Sequence, residues 1–395
     1  MRIAILSKWP ENELRGGGVS VHVTNLVRNL GEIERLKIKV ISFGTNDRRI
    51  KIGNSEIDMI RSNKFYYIFP PLALIRMAIK IKQFNPDIIH IQGSNISPYS
   101  LYGFLNPSKK SMVITVHNIS SQELVANDKI KNKSVLNRTI ALFEKELIKR
   151  SDKIIVVGTR LGERIAKFPL KGNWRKKIIF IPNGVNLPKK LNKDELKIIR
   201  NGNGISDDEL IIFHAKSMDK FNGQEYLINA MPSIIRQIPK ARLILAGDGP
   251  LLHELSNKNR KMGLENKISF LGKISHELTL IYLAISDAVV VPSIRIGEFE
   301  EGGSIFLLEA MASEKAVVAT SVGGNIDSIK NGINGILIPD RDSERIAEGV
   351  INILQDPVKA SSMGEMARNI VENERSWKNI AEKTAELYDK MFKNN

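Results

Sequence analysis

Short runs of valine and isoleucine alternate with longer helical patterns along almost the whole chain, and this alternation constrains the fold more than any other feature. In the first half the runs are RIAILS (2–7), KIKVISF (37–43), DIIHIQ (87–92), MVITVHN (112–118), KIIVVG (153–158) and KIIFIP (177–182). Helical patterns lie between them at 19–30, 72–84, 135–150 and 160–167. The second half repeats the scheme with LIIFHA (210–215), RLILAG (242–247), KISFLG (267–272), AVVVPS (288–293), AVVAT (316–320) and GILIP (335–339). Its helices are expected at about 223–237, 250–262, 275–286, 303–313 and 342–354, with two more towards the C-terminus. Apolar strands separated by helices are what a parallel sheet covered on both faces requires, since neither face of such a strand meets water. The pattern predicts two doubly wound α/β domains, with the polar stretch Pro188 to Asp208 as the linker. In such sheets ligands bind outside the carboxyl ends of the strands, so the loops just after each strand are where chemistry is to be sought.

The 395 residues suffice for two such domains. With no cysteine, disulfide scaffolds, thiolate metal sites and cysteine nucleophiles are excluded. The net charge of +16 is unevenly placed: residues 1–190 carry +20 and residues 191–395 carry −4. A basic half suits an anionic partner, whether nucleic acid, a membrane surface or a phosphorylated substrate. Nucleic-acid binding would interleave aromatic residues with the cations, and KIKNKS and WRKKIIF do little of that. The sequence has no run of about 18 uncharged apolar residues and no signal-peptide pattern, which places the chain in the cytoplasm as an expectation.

Several loops carry candidate chemistry. Gly16, Gly17 and Gly18 follow the first strand and precede a helix, an arrangement that lets backbone approach an anion. His117 stands at the end of MVITVHN, and His90 closes the strand before it. The densest constellation follows AVVVPS: Glu298, Glu300 and Glu301, then Gly302, Gly303, Ser304 and Ile305, then Glu309 about two helical turns on. A helix N-terminus there can hold phosphate while carboxylates accept hydrogen bonds from sugar hydroxyls. Asp340-Arg341-Asp342 has the form of a metal-binding acidic pair, but its place just before a helix makes Asp342 an N-cap. Gly247-Asp248-Gly249-Pro250 reads as a tight strand-to-helix turn, with Pro250 at the first helical position.

Together these residues resemble the retaining GT-B glycosyltransferases of the family-4 type, which pair two Rossmann-like domains facing each other across a cleft. The resemblance rests on Glu301 and Glu309 separated by seven residues, on LLEAMAS, AVVATSVGGNIDSI and NGINGILIPD, and on IPNGVN, LILAGDGPLLHEL, DIIHIQ and TVHN elsewhere. It implies an acceptor-side domain at 1–187, with a terminal helix 376–395 packing back on it, and a nucleotide-sugar domain at 188–375. It also implies that Glu309 holds the donor's ribose and Glu301 its sugar hydroxyls. The diphosphate would face the amides of Gly303, Ser304 and Ile305 beside Gly302, with Gly17 and Gly18 from the other side, and His117 would lie near donor sugar and acceptor. Lys216 takes the position of the family's usual arginine, and Lys220 supplies a second cation two residues before Asn222. Base selection falls to the loop 272–277. No metal or cofactor is implied beyond the nucleotide-sugar donor.

The implied reaction moves a sugar with retention to a hydroxyl acceptor, here expected to be lipid-linked or a surface-glycoconjugate precursor at the inner membrane face. A nucleotide-sugar epimerase on the same fold, and a basic nucleic-acid-binding protein, are the alternatives. FYYIFPPLALIRMAIKIKQF (65–84), with further cations at 129–138 and 171–177, is the stretch suited to an anionic membrane.

Overall fold

The computed structural model describes residues 1–10, 18–62, 70–170 and 172–393. It divides into two units, Met1–Gly184 with Trp377–Asn395, and Val185–Ser376. The first unit runs β1 (Arg2–Leu6), α1 (Gly18–Leu30), β2 (Lys37–Gly44), β3 (Arg48–Ile52), β4 (Ser55–Arg61), α2 (Pro70–Phe84), β5 (Ile88–Gln92), α3 (Pro98–Leu105), β6 (Ser111–Val116), α4 (Ser120–Ala126), α5 (Val135–Arg150), β7 (Lys153–Val156), α6 (Thr159–Ala166) and β8 (Ile178–Phe180). The second runs α7 (Lys193–Gly202), β9 (Leu210–Ala215), α8 (Gln224–Gln237), β10 (Ala241–Ala246), α9 (Leu252–Lys261), β11 (Ile268–Phe270), α10 (His276–Ile285), β12 (Ala288–Val291), α11 (Ile305–Ala312), β13 (Val317–Thr320), β14 (Ile336–Ile338), α12 (Ser343–Gln355) and α13 (Pro357–Glu374). The chain then returns to the first unit as α14 (Trp377–Lys393).

The first sheet has the order β3-β4-β2-β1-β5-β6-β7-β8. Its pairings are parallel except at the edge, where β3 runs antiparallel to β4. Every residue of β5 is buried, as expected of a strand covered on both faces. One face packs on Met77 and Ile81 of α2, Tyr99 and Tyr102 of α3, Leu147 and Ile148 of α5 and Leu161 and Ile165 of α6. The other packs on Val23, Leu26 and Val27 of α1 together with Ile380, Ala385 and Tyr388 of α14.

The second sheet has the order β11-β10-β9-β12-β13-β14, all parallel. The chain builds outward from β9 to β11, then crosses back to start again at β12, so β9 and β12 flank the point where the order reverses. Ligand crevices of doubly wound sheets form at such a point, beyond the carboxyl ends of the two strands. One face is covered by α8 and α12, the other by α10, α11 and α13.

Three differences from the sequence expectation have physical causes. The β3–β4 hairpin was not foreseen because RRIKI is an exposed, polar edge strand without an apolar run. Pro188–Asp208 is not a bare linker, since α7 lies within it. Asn192 Oδ1 accepts from Glu195 N (2.9 Å) while the Glu195 carboxylate accepts from Asn192 N (2.8 Å), and Leu196 and Ile199 pack inward. The units part at Gly184, not at 187, because Val185 N already bonds Arg375 O (2.8 Å), the returning chain of the second unit. The short helices α3 and α4 were also unforeseen, and α9 begins at Leu252, leaving Pro250 in the preceding turn.

Candidate active site

Lys216 directly follows β9. Its Nζ donates to Glu301 Oε2 at 2.5 Å and to Ser293 Oγ at 3.4 Å, so the loops leaving β9 and β12 are tied together at the reversal point of the sheet. The lysine side chain is 9% exposed and that of Glu301 21%, which screens the pair little while leaving the carboxylate an open side. The backbone that aims Lys216 is fixed from below: Lys216 N donates to Ala246 O (3.1 Å), and a Cβ on Gly247 would stand 2.0 Å from Lys216 O.

The three acids before the glycines separate in space. Glu298 is exposed. Glu300, 2% exposed, is an internal strut: it pairs with Arg295 and accepts from Gly323 N at 3.0 Å. Glu301 alone reaches Lys216. The backbone of Glu301 to Gly303 is pressed against Gly323 and Gly324, where a Cβ would come within 2.0 Å of Glu301 O and 2.4 Å of Gly302 O respectively. Glycine there is a packing requirement and not only a flexible choice.

Ser304 caps α11, its Oγ accepting from Leu307 N at 3.3 Å, and Ile305 opens the helix. The dipole of α11 thus points its positive end at the glycine loop beside Glu301. The helix is otherwise apolar and buried, yet it carries Glu309, 8% exposed. A carboxylate in such a place needs a partner. It has one in His276, the first residue of α10, whose Nε2 lies 2.7 Å from Glu309 Oε1. Lys220 opens a single 3-10 turn, Lys220–Asn222, and is exposed, while Asn222 is buried and donates to Ser217 O at 2.8 Å. The position before Gly223 therefore builds the turn.

In the first unit His117 follows β6, and its Nε2 meets Gln92 Oε1 at 3.0 Å. Its ring stands edge-on to His22, centroids 4.6 Å apart, and His22 bonds Asn183 Oδ1 (3.0 Å) through Nδ1. Burial lowers the pKa of His22 to about 4 and that of His90 to about 3, and holds His117 well below the ordinary imidazole range, so all three are neutral at pH 7. His90 has no exposed surface and is a core residue. Glu144, 1% exposed, accepts from Ser94 Oγ (2.9 Å), Ser120 N (2.7 Å) and Ser121 N (3.0 Å), locking the loops after β5 and β6 on which His117 stands. Gly18 begins α1 and is exposed, whereas Gly16 and Gly17 lie outside the described residues.

Residues 16–189 match the family Glycosyltransferase Family 4, and residues 196–377 match Glycosyl transferases group 1. The chain belongs to the group 1, family-4-type glycosyltransferases. It is 32% identical over 241 residues to an uncharacterized glycosyltransferase of Methanocaldococcus jannaschii, a match that spans 60% of each chain. It is 27% identical over 383 residues to N-acetyl-alpha-D-glucosaminyl L-malate synthase of Bacillus anthracis, covering 94% of both. A GDP-mannose-dependent phosphatidylinositol monomannoside mannosyltransferase of Mycobacterium tuberculosis is 30% identical over 167 residues, 42% of this chain and 43% of that one. Among solved structures, sucrose-phosphate synthase from Thermosynechococcus elongatus superposes with a TM-score of 0.82 at 21% identity over the whole of both chains. The Anabaena HepE complex with UDP-glucose gives 0.77 at 18% identity, covering 99% of this chain and 100% of that one. These likenesses show the GT-B architecture of two parallel-sheet α/β domains.

Within this glycosyltransferase the acidic pair near 340 is structural: Asp342 Oδ1 accepts from Arg345 N at the head of α12 (3.0 Å), and Asp340 accepts from Arg295 N (3.0 Å). Among the described residues no three or more His, Asp or Glu side chains gather as metal ligands would. Sequence reasoning missed His276, Glu144 and Gln92. His276 had a signal, since it lies in the loop 272–277 singled out for base selection, and its side chain engages Glu309.

Proposed function

We propose that this glycosyltransferase moves a sugar, with retention, from a nucleoside-diphosphate sugar to a hydroxyl acceptor. The observation that carries the proposal is the pairing of Lys216 with Glu301 at the β9–β12 reversal point, beside the N-terminus of a helix that carries the buried Glu309. Negative charge builds on the diphosphate as the anomeric C–O bond breaks. Lys216 and the first-turn amides of Ser304 and Ile305, beside Gly302 and Gly303, supply the opposing field without a metal, and Lys220 adds a second cation. The acceptor oxygen bonds the anomeric carbon on the face the diphosphate leaves, and its proton passes to the departing phosphate oxygen. Glu301 holds donor-sugar hydroxyls, Glu309 holds the ribose, and His117, with Gly17 and Gly18 on the same unit, serves the donor sugar and its diphosphate. The named activities of the relatives and the nucleotide-sugar complexes of the structural neighbours support this reading.

The acceptor we assign is a lipid-linked or glycoconjugate precursor, met by the enzyme as a peripheral protein on the cytoplasmic face of an anionic membrane. Support comes from the helical layer of the first unit. α2 turns Leu72, Ile75 and Ile79 outward and α5 turns Val135, Leu136 and Leu142 outward, each at least half exposed, while their inner residues pack on the same side of the sheet. Lys129, Lys131, Lys133 and Arg138 stand exposed around the start of α5. Residues 65–69 of the stretch first singled out lie outside the described residues. Among the described residues no helix is long and apolar enough to cross a membrane. The decisive test is acceptor-dependent nucleoside-diphosphate release from a panel of uridine and guanosine diphosphate sugars. Loss of release in Glu309→Ala supports the reading, and no release with any donor and lipid or sugar acceptor overturns it.

A further inference from the structure

The histidine of the first unit's site is wired to the C-terminal helix. Gln92, at the end of β5, bridges two imidazoles: its Oε1 is 3.0 Å from His117 Nε2 and its Nε2 is 3.3 Å from His90 Nε2. His90 in turn places Nδ1 2.5 Å from the hydroxyl of Tyr388 on α14 and Nε2 2.7 Å from Thr115 Oγ1. Tyr388 and His90 have no exposed surface, Gln92 has 6% and Thr115 1%, so water does not substitute for any link. His117, at 9%, is the least buried of these five and the end that opens outward.

Protons in such a chain must alternate. The amide oxygen of Gln92 can only accept, so His117 carries its proton on Nε2. The amide nitrogen can only donate, so His90 Nε2 is a lone pair, shared with the Thr115 hydroxyl, and His90 carries its proton on Nδ1, donating to Tyr388. His117 is left with an unprotonated Nδ1, an acceptor for a substrate hydroxyl. The opposite arrangement needs His90 protonated on Nε2 and the Gln92 amide turned end for end, which forces the His117 proton to Nδ1. All three imidazoles of the cluster are neutral at pH 7, so the tautomer and not the charge is what the chain sets.

We propose that Tyr388, acting through His90 and Gln92, is a positioning residue that fixes the ring proton of His117 on Nε2 and presents Nδ1 as an acceptor to the sugar being transferred. The tautomer relay stands on geometry alone. Its functional half rests on the reading of His117 as a substrate contact.

The test is the tautomer itself, read from long-range proton–nitrogen correlation of the histidine rings in the full-length protein, with His117 assigned by His117→Gln. In the unaltered protein Nε2 of His117 is the protonated nitrogen. Tyr388→Phe removes the acceptor of His90 Nδ1–H. An orphaned buried N–H is less tolerable than an orphaned lone pair, so the proton moves to Nε2 facing Thr115 and the His117 pattern inverts. In the Gln92→Leu background the link is cut, and the same tyrosine change leaves His117 unaltered. An unchanged His117 pattern in folded Tyr388→Phe overturns the relay. Inversion accompanied by an undiminished kcat/KM overturns the functional half alone. The expected result is inversion with kcat/KM lowered about tenfold, the worth of one hydrogen bond of about 1.4 kcal/mol. Thermal unfolding of each variant confirms that the fold persists.

Discussion

Glu309 and His276 meet across 2.7 Å on two different helices, the carboxylate halfway along apolar α11 and the imidazole at the head of α10. His276 thereby holds one oxygen of a nearly buried acid in a fixed place.

Removing that imidazole loosens the carboxylate without deleting it. His276→Ala is expected to weaken nucleoside-diphosphate binding about 5- to 20-fold with a smaller effect on kcat, since an interaction made equally in ground and transition states acts on KM. Glu309→Ala is expected to cost more, by 10-fold or above, as hydrogen bonds to a charged group are worth about 1.5–3 kcal/mol. Titration calorimetry with uridine and guanosine diphosphates measures both. Equal affinity of His276→Ala and the unaltered protein would remove the positioning role.

The neighbouring acids Glu300 and Glu301 should fail in different ways. Glu300→Ala removes a 2%-exposed carboxylate and leaves the buried Gly323 amide without its acceptor, while the exposed Arg295 stays hydrated, and it is expected to lower unfolding stability by about 1–3 kcal/mol. Glu301→Gln keeps the hydrogen bond to Lys216 but removes the charge, so the fold should hold while transfer falls by about 10²–10³, as when a placed electrostatic group is lost. Denaturant melts and initial rates on the two variants decide it, and the reverse pattern would exchange their roles.

Much of this arrangement was legible in the sequence because parallel strands buried on both faces write themselves as apolar runs, and because chemistry collects just after them. Glu301 and Glu309 were singled out as candidates that way, and Lys216 through the family resemblance. What stayed hidden depended on surfaces and on contacts distant along the chain. The hairpin strand RRIKI is polar because it is an edge, and α7 reads as a linker because only Leu196 and Ile199 turn inward, although the Asn192 and Glu195 capping pair was there to be read. The spacing to Glu309 picks out Glu301, but the sequence gives no sign that Glu300 is a strut, because the Gly323 amide it accepts from lies 23 positions away. The relay through Gln92 joins β5, the end of β6 and α14, and its His90–Tyr388 link alone spans 298 positions.

The buried histidines make stability depend on pH. His22, with its folded pKa near 4, and His90 and His214, near 3, all lie below the 6.5 of an unfolded imidazole. As pH falls through 6.5 the unfolded chain takes up protons that the folded chain refuses until about pH 4, so stability is complete above pH 6.5 and is lost on acidification. His22 alone accounts for on the order of 3 kcal/mol across that window. Urea midpoints between pH 7.5 and 5 should fall, and His22→Gln should flatten the slope. A midpoint that rises on acidification would show these rings to be charged in the fold.

The outward apolar faces of α2 and α5 give the last expectation. A cation near an anionic leaflet contributes about 1 kcal/mol, and a leucine side chain inserted among acyl chains about 1.5–3 kcal/mol. Leu136→Ser with Leu142→Ser should therefore lower co-sedimentation with anionic vesicles by more than tenfold, and Lys131→Glu with Lys133→Glu should do so by a similar factor at low salt and less at high salt. Release of nucleoside diphosphate with a short, water-soluble acceptor should be unchanged in all of them, because these side chains point away from the sheet and its strand-end loops. Equal binding of the unaltered protein to neutral and anionic vesicles would instead assign the +20 of the first 190 residues to the acceptor alone.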